Sequence, residues 1–134
     1  MVRQTWLEAF VRNHKGIAGT VHQRSDPDEL TLAAAVNIPP PVRQVIERIP
    51  RGKGMAGLAL EHNEPISSCN IQEDRSGQVR PGARAVNAKA GVALPVHSRD
   101  GSVRAVVGIA FPDEKTLTGS ELAALIAAAE TLPE

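Results

Sequence analysis

The sequence has almost no aromatic residues: Trp6, Phe10 and Phe111 are the full set among 134 residues, and tyrosine is absent. Recognition of single-stranded nucleic acid relies largely on bases that stack on aromatic side chains, so this function has little support. The 15 basic and 15 acidic residues cancel, and the positive footprint of a phosphate-backbone binder is therefore lacking. We expect no nucleic-acid partner. A small molecule or another protein fits this composition better.

Cysteine and long apolar runs are also scarce. Cys69 is the single cysteine, so an internal disulfide is excluded. No apolar run approaches the roughly 18 residues that a membrane-spanning helix needs, and the amino terminus lacks the apolar core of a signal peptide. We therefore predict a cytoplasmic protein with no membrane partner. The length fits one domain, over residues 1–134.

The first half of the chain shows alternating helix and strand periodicity. Residues 2–13 predict an amphipathic helix, and residues 17–23 and 30–36 predict two strands of a hairpin. Pro41 suits the first turn of a second helix, and Pro50 ends it. One face of that helix is marked by four apolar residues at helical spacing, Val42, Val45, Ile46 and Ile49.

The second half contains a glycine-rich run, a hairpin and a final helix. The GKGMAG run leads into a short helix that starts near Gly54 or Met55, and residues 65–69 predict a short edge strand. Asp100-Gly101 separates two apolar runs and predicts a tight hairpin, whose second strand, residues 103–111, should be central. A last helix is predicted by the capping-box spacing of Thr118 and Glu121, and by an apolar stripe of Leu122, Leu125, Ile126 and Ala129.

Between the predicted edge strand and the hairpin lies a long polar segment, residues 69–90, with the sequence CNIQEDRSGQVRPGARAVNAKA. Charges, amides, two glycines and a proline interrupt any regular periodicity there. Irregular polar backbone that joins two apolar strands is a common place for a binding site. A long surface loop without a ligand is the alternative.

Two stretches resemble the GAF domain family. IPRGKGMAGLALEHNEPI, residues 49–66, is similar to that family's G-x-G-x-x-G segment with a proline eight residues later, and VALPVHSRDGSVRAVVGIAF, residues 92–111, is similar to its two closing strands. The resemblance implies an α+β, GAF/PAS-like fold with an antiparallel sheet of five or six strands. Terminal helices would cover one face, while short helices and the long polar segment would enclose a pocket on the other.

Several kinds of chemistry have weak support. The glycine run follows a helix and Pro50, and its lysine is not followed by serine or threonine as in a P-loop, so tight packing explains it better than phosphate binding. The four histidines show no metal-ligand spacing, and we interpret them as solvated. We expect no metal and no cofactor. The resemblance extends to GAF-type free methionine sulfoxide reductases, but those use several cysteines, whereas Met55 stands where one would be expected.

The remaining candidates for a binding site are polar groups that could recognise a ligand through hydrogen bonds. Met55, Leu58 and Val92 would form the apolar base of the pocket. Arg80 and Arg84 would suit an anion, or would pair with Glu73 and Asp74 as a structural network. We predict no catalytic residue. The predicted ligand-binding residues are Met55, Cys69, Asn70, Gln72, Asp74, Ser76, Arg80, Arg84 and Asn87.

The sequence thus favours a non-catalytic sensor or regulatory module that binds a small molecule beneath residues 69–90 and acts in signalling, through a protein partner or across a homodimer. One alternative is a thiol-dependent redox enzyme or sensor at Cys69. The other is a structural homodimerisation module that uses the apolar faces of residues 2–13 and 121–132.

Overall fold

The protein is described by a computed structural model that covers residues 2–68 and 88–134. These two ranges contain four helices and six strands. In chain order they are α1 Val2–Asn13, β1 Ala18–Asp26, β2 Glu29–Val36, α2 Pro40–Ile46, β3 Arg48–Pro50, α3 Gly54–His62, β4 Ile66–Ser68, β5 Ala90–His97, β6 Val103–Phe111 and α4 Gly119–Ala129.

The six strands form one antiparallel sheet in the order β3-β2-β1-β6-β5-β4. β6 lies between β1 and β5, and most of its residues are buried, as its largely apolar sequence predicts. β4 lies at the edge, which fits the proline that precedes it. The α+β fold expected from the sequence, with five or six antiparallel strands, is confirmed.

α1 and α4 cover one side of the sheet, the terminal-helix face. Their buried side chains, among them Leu7, Phe10 and Leu125, pack on large residues of the central strands such as Leu94 and Val107. Val2 and Ile126 are the large hydrophobic residues that α1 and α4 leave exposed. Ile126, which the sequence places on the buried stripe, therefore lies on the outer side of α4.

α2 and α3 cover the opposite side, the cavity face. α2 packs through Val42 on Ala18 and Ala35, while α3 packs through Ala59 and Leu60 on the outer part of the sheet. The short helices thus lie across the sheet from the terminal helices, as the resemblance implies.

β3 corrects the predicted extent of the second helix. The helix ends at Ile46, and Ile49 pairs with Leu30 as part of a strand. The apolar residues from Val42 to Ile49 fit the spacing of one helix face. Ile49 is nevertheless buried because it belongs to a strand that pairs with β2. Pro50 is tolerated there because β3 is an edge strand.

Candidate functional site

A cavity of about 150 Å³ lies between the cavity face of the sheet and helices α2 and α3. The apolar residues that face the sheet across the cavity are Ile38 before α2, Val42 and Ile46 of α2, Ile49 of β3 and Met55 of α3. An engineered cavity of about this volume in another protein encloses benzene. The space is therefore large enough for a small organic molecule.

The cavity exists because side-chain size alternates along the two central strands. In β5 and β6, Val92, Leu94, Val107 and Ile109 fill the terminal-helix face. The residues next to them on the strands are small and line the cavity: Gly91, Ala93, Gly108 and Ala110. The backbone positions Val92 and Ile109 also belong to its lining. The register places Ala93 opposite Gly108 and Gly91 opposite Ala110, so the small residues adjoin. This size alternation is present in the sequence, but hydrophobicity alone does not reveal it.

His22 is the buried polar side chain of this cavity. It lies on β1 opposite Val106, is 2% exposed, and lines the cavity. Its Nε2 lies 2.9 Å from the carbonyl oxygen of Ile46. This carbonyl belongs to the last turn of α2, where backbone oxygens lack partners within the helix. The prediction that the histidines are solvated is wrong for His22.

The protonation of His22 follows from this environment. Burial lowers the pKa of the imidazole, opposed by the smaller effect of the hydrogen bond to Ile46. The ring is therefore neutral near pH 7, and because Nε2 donates its hydrogen to the carbonyl, Nδ1 carries only a lone pair. Nδ1 is buried and has no hydrogen-bond partner among the residues that the structure describes. A buried acceptor left unpaired destabilises the protein, and such groups often mark a missing ligand or water.

The amino-terminal turn of α3 forms another part of the wall. Lys53, Gly54, Met55 and Ala56 all line the cavity. Lys53 occupies the N-cap position and supplies no side-chain acceptor. The first intrahelical bond runs from the N–H of Gly57 to the carbonyl of Lys53 at 3.1 Å. The N–H groups of the three residues between them donate no hydrogen bond within the described chain.

Two glycines fix the position of this turn. Gly54 has φ of 65°, a left-handed backbone conformation that other residues rarely adopt. A Cβ on Gly57 would lie 2.5 Å from the carbonyl oxygen of Pro50. The packing role predicted for the glycine run holds for Gly57, which lets α3 approach β3 closely. Gly54 has the additional effect of setting the chain direction at the cavity wall.

Of the predicted ligand-binding residues, the structure describes Met55, which lines the cavity. Its role in binding stays a prediction. Leu58, expected on the cavity floor, instead packs in the α3 cluster with Leu30 and Ile49. The other predicted residues lie outside the described ranges: Cys69, Asn70, Gln72, Asp74, Ser76, Arg80, Arg84 and Asn87.

A polar cluster on the surface links three elements away from the cavity. His97 at the end of β5 lies with Nδ1 2.9 Å from Glu130 Oε1 and with Nε2 2.5 Å from Asn63 Oδ1. Asn63 ends α3 in a left-handed conformation, and Glu130 follows α4. The cluster ties both helices to the sheet. Within residues 2–68 and 88–134, no group of three or more histidine, cysteine or acidic side chains could hold a metal ion.

A sequence model of the GAF domain matches residues 4–132. The chain belongs to the GAF domain family. A comparison with curated protein sequences finds no match. No helix within the described part of this GAF domain combines the length and apolar character needed to cross a membrane.

Solved structures show the same fold at low sequence identity. The GAF domain of a phosphoenolpyruvate-protein phosphotransferase from Coxiella burnetii is 21% identical with a TM-score of 0.73, over 96% of this chain and 81% of that chain. A domain assigned to a two-component sensor histidine kinase of Sinorhizobium meliloti is 13% identical with a TM-score of 0.75, over 98% and 85%. A type II free methionine-R-sulfoxide reductase from Thermoplasma acidophilum is 13% identical with a TM-score of 0.70, over 98% and 92%.

Proposed function

We propose that this GAF domain is a non-catalytic sensor or regulatory module that binds a small molecule in the cavity between the sheet, α2 and α3. The observation that carries the proposal is the largely apolar cavity of about 150 Å³, with the buried side chain of His22 on its wall. Binding pockets combine mostly apolar walls with a few polar groups that fix the orientation of the ligand. Membership of the GAF family and the fold shared with a sensor-kinase domain support a role in signalling. A cytoplasmic location is part of the proposal.

The signal would come from the packing of α2 and α3. Both helices contact the cavity and neither belongs to the terminal-helix face. A ligand that fills the cavity favours the arrangement of α2 and α3 that fits it over other arrangements. The free energy of this shift cannot exceed the difference between the ligand's binding free energies for the two arrangements. A partner that contacts either helix would then detect whether the cavity is occupied.

Native mass spectrometry of freshly purified protein, followed by thermal-shift screening of small molecules, tests this proposal. Ala110 lines the cavity on β6 and is partly exposed to it, so Ala110→Leu should fill the space and abolish binding. Ala123→Leu, on the exposed side of α4, is the matched control and should bind like the wild type. If the wild-type protein retains no molecule and no compound raises its melting temperature, the sensor proposal is wrong.

The two alternative functions stay predictions. A reductase shares the fold, but at 13% identity this similarity concerns the fold alone, and Cys69 lies outside the described residues. If the protein is a thiol enzyme, Cys69 should be alkylated rapidly near neutral pH, and Cys69→Ser should lose activity. Homodimerisation would have to use the outer sides of α1 and α4, and light scattering at micromolar concentration measures it.

A further inference from the structure

The cavity between the sheet, α2 and α3 is bordered almost entirely by carbon atoms of the described residues. On the sheet side, Gly91, Ala93, Gly108 and Ala110 place nothing larger than a methyl group against it. On the helix side lie aliphatic side chains and Met55. The cavity therefore offers a ligand close apolar contacts and very few hydrogen bonds.

The polar residues of the lining place no charge inside the cavity. His22 borders it with ring carbon, because Nε2 is bonded to the carbonyl of Ile46 and Nδ1 has no appreciable accessible surface. Lys53 is an exposed residue, and such a side chain keeps its ammonium group in water while its stem covers apolar surface. Thr20, opposite Gly108 in the register, carries an uncharged hydroxyl group. No aspartate or glutamate is among the described lining residues, so a charged ligand would find no buried counter-charge among them.

A lining of this kind discriminates against ions and against water. Transfer of an ionised carboxylate or ammonium group from water into apolar surroundings is very unfavourable unless a counter-charge or several hydrogen bonds compensate for it. A buried water molecule also needs several polar partners. An apolar molecule, in contrast, is driven into the same space by the loss of its own hydration. The chemistry of the wall thus favours an uncharged apolar occupant.

We propose that the ligand of this cavity is a small uncharged apolar molecule, about the size of a six-membered ring with one methyl group. The volume of about 150 Å³ sets this size, since an engineered apolar cavity of that volume in another protein stays dry and binds benzene. The ligand lies between Ile46 on α2 and Ala110 on β6, which border the cavity from opposite sides. This assignment rests on the proposed function and specifies its ligand class.

Three probes of similar size test the charge preference. Toluene is uncharged, benzoate carries a negative charge and benzylammonium a positive charge on the same ring. Isothermal titration calorimetry at pH 7.5 should show toluene binding with a Kd below about 1 mM. Both ions should bind at least about a hundredfold more weakly, because neither charge is compensated inside the cavity. An ion that binds as tightly as toluene would refute the assignment.

A pair of neighbouring substitutions on α2 tests the location and size of the site. Ile46→Ala enlarges the cavity and keeps the backbone carbonyl that His22 contacts. The affinity for naphthalene relative to toluene should therefore rise several-fold in this variant. Val45→Ala changes the adjacent residue, which is 51% exposed, and as the matched control it should keep the wild-type ratio. The same ratio in Ile46→Ala and the wild type would refute binding beside α2.

The outcomes distinguish this ligand class from the proposed function. Toluene binding to the wild type and to Ala123→Leu, but not to Ala110→Leu, supports both. If toluene does not bind, but native mass spectrometry shows a retained ionic molecule in the wild type and not in Ala110→Leu, the apolar assignment is wrong and the sensor function stands. If no molecule of any class occupies the cavity, both fail.

Discussion

His22 Nε2 donates a hydrogen bond of 2.9 Å to the carbonyl oxygen of Ile46 and thereby ties β1 to the end of α2. This bond satisfies a helix carbonyl that has no partner of its own. It also decides the tautomer of the ring, so that Nδ1 carries a lone pair. The packing of α2 on the sheet therefore depends on this side chain.

The pKa of His22, which burial lowers below its ordinary value of 6.5, predicts a loss of stability in acid. The unfolded chain binds a proton at a higher pH than the folded protein, so stability is full above the ordinary value and falls as the pH drops below it. Urea unfolding at pH 7.5 and 5.5 should show this loss in the wild type and a smaller loss in His22→Gln. His62→Gln, which changes an exposed histidine, should keep the wild-type pH dependence. Identical pH dependence in His22→Gln and the wild type would contradict the assignment.

Gln4 predicts a stability effect at the edge of the sheet. Its side-chain amide donates to the carbonyl of Ala35 at 2.8 Å and accepts from the N–H of Ala35 at 3.2 Å, as a neighbouring strand would. Gln4→Ala leaves both backbone groups without this partner and should lower the free energy of unfolding by about 1–2 kcal/mol. Gln44→Ala, at an exposed position of α2, should change it by less than about 0.5 kcal/mol. Urea denaturation measures both, and equal effects would show that the Gln4 bonds contribute nothing.

Two glycine-to-alanine substitutions should change the free energy of unfolding in opposite directions. At Gly57 the new Cβ would lie 2.5 Å from the carbonyl oxygen of Pro50, so α3 must move away from β3. We expect a loss of about 1–3 kcal/mol. At Gly119, in the first turn of α4, a Cβ meets nothing within 4 Å, and alanine should stabilise the protein by about 0.4–1 kcal/mol. Thermal unfolding of the two variants tests the pair, and a neutral Gly57→Ala would show that α3 and β3 are not in close contact.

The capping box of α4 predicts a moderate loss of stability when Thr118 is replaced. Thr118 accepts from the N–H of Glu121, and Glu121 accepts from the N–H of Thr118, both at 3.1 Å. Thr118→Ala should lower the free energy of unfolding by about 1 kcal/mol. Thr118→Ser keeps the hydroxyl acceptor and should retain most of the wild-type stability. Since α4 buries Leu125 and Ala129 on the sheet, the loss should appear in global unfolding. Full stability of Thr118→Ala would contradict a contribution from the cap.

The predictions from sequence succeeded where local chemistry decides the structure. α1 has the predicted bounds because apolar residues recur at helical spacing, and α4 begins at its capping box. The hairpin of β5 and β6 turns at Asp100-Gly101, where Asp100 Oδ1 accepts from the N–H of Ser102 at 3.0 Å. These signals lie within a few residues of one another. Pairing with distant residues overrode the helical pattern at Ile49, which joins β2 as part of β3.

The sequence by itself determined most of the elements and the apolar, aromatic-poor character of the core, and its resemblance to the GAF family implied the fold. Only the tertiary structure decided where the cavity lies and which residues line it. Gly91, Ala93, Gly108 and Ala110 leave space because the sheet register places them side by side. His22 is buried because α2 closes over β1 and supplies the carbonyl of Ile46, 24 residues further along the chain. A sequence pattern records the chemistry of near neighbours, whereas the environment of a side chain in a cavity depends on residues brought together by packing.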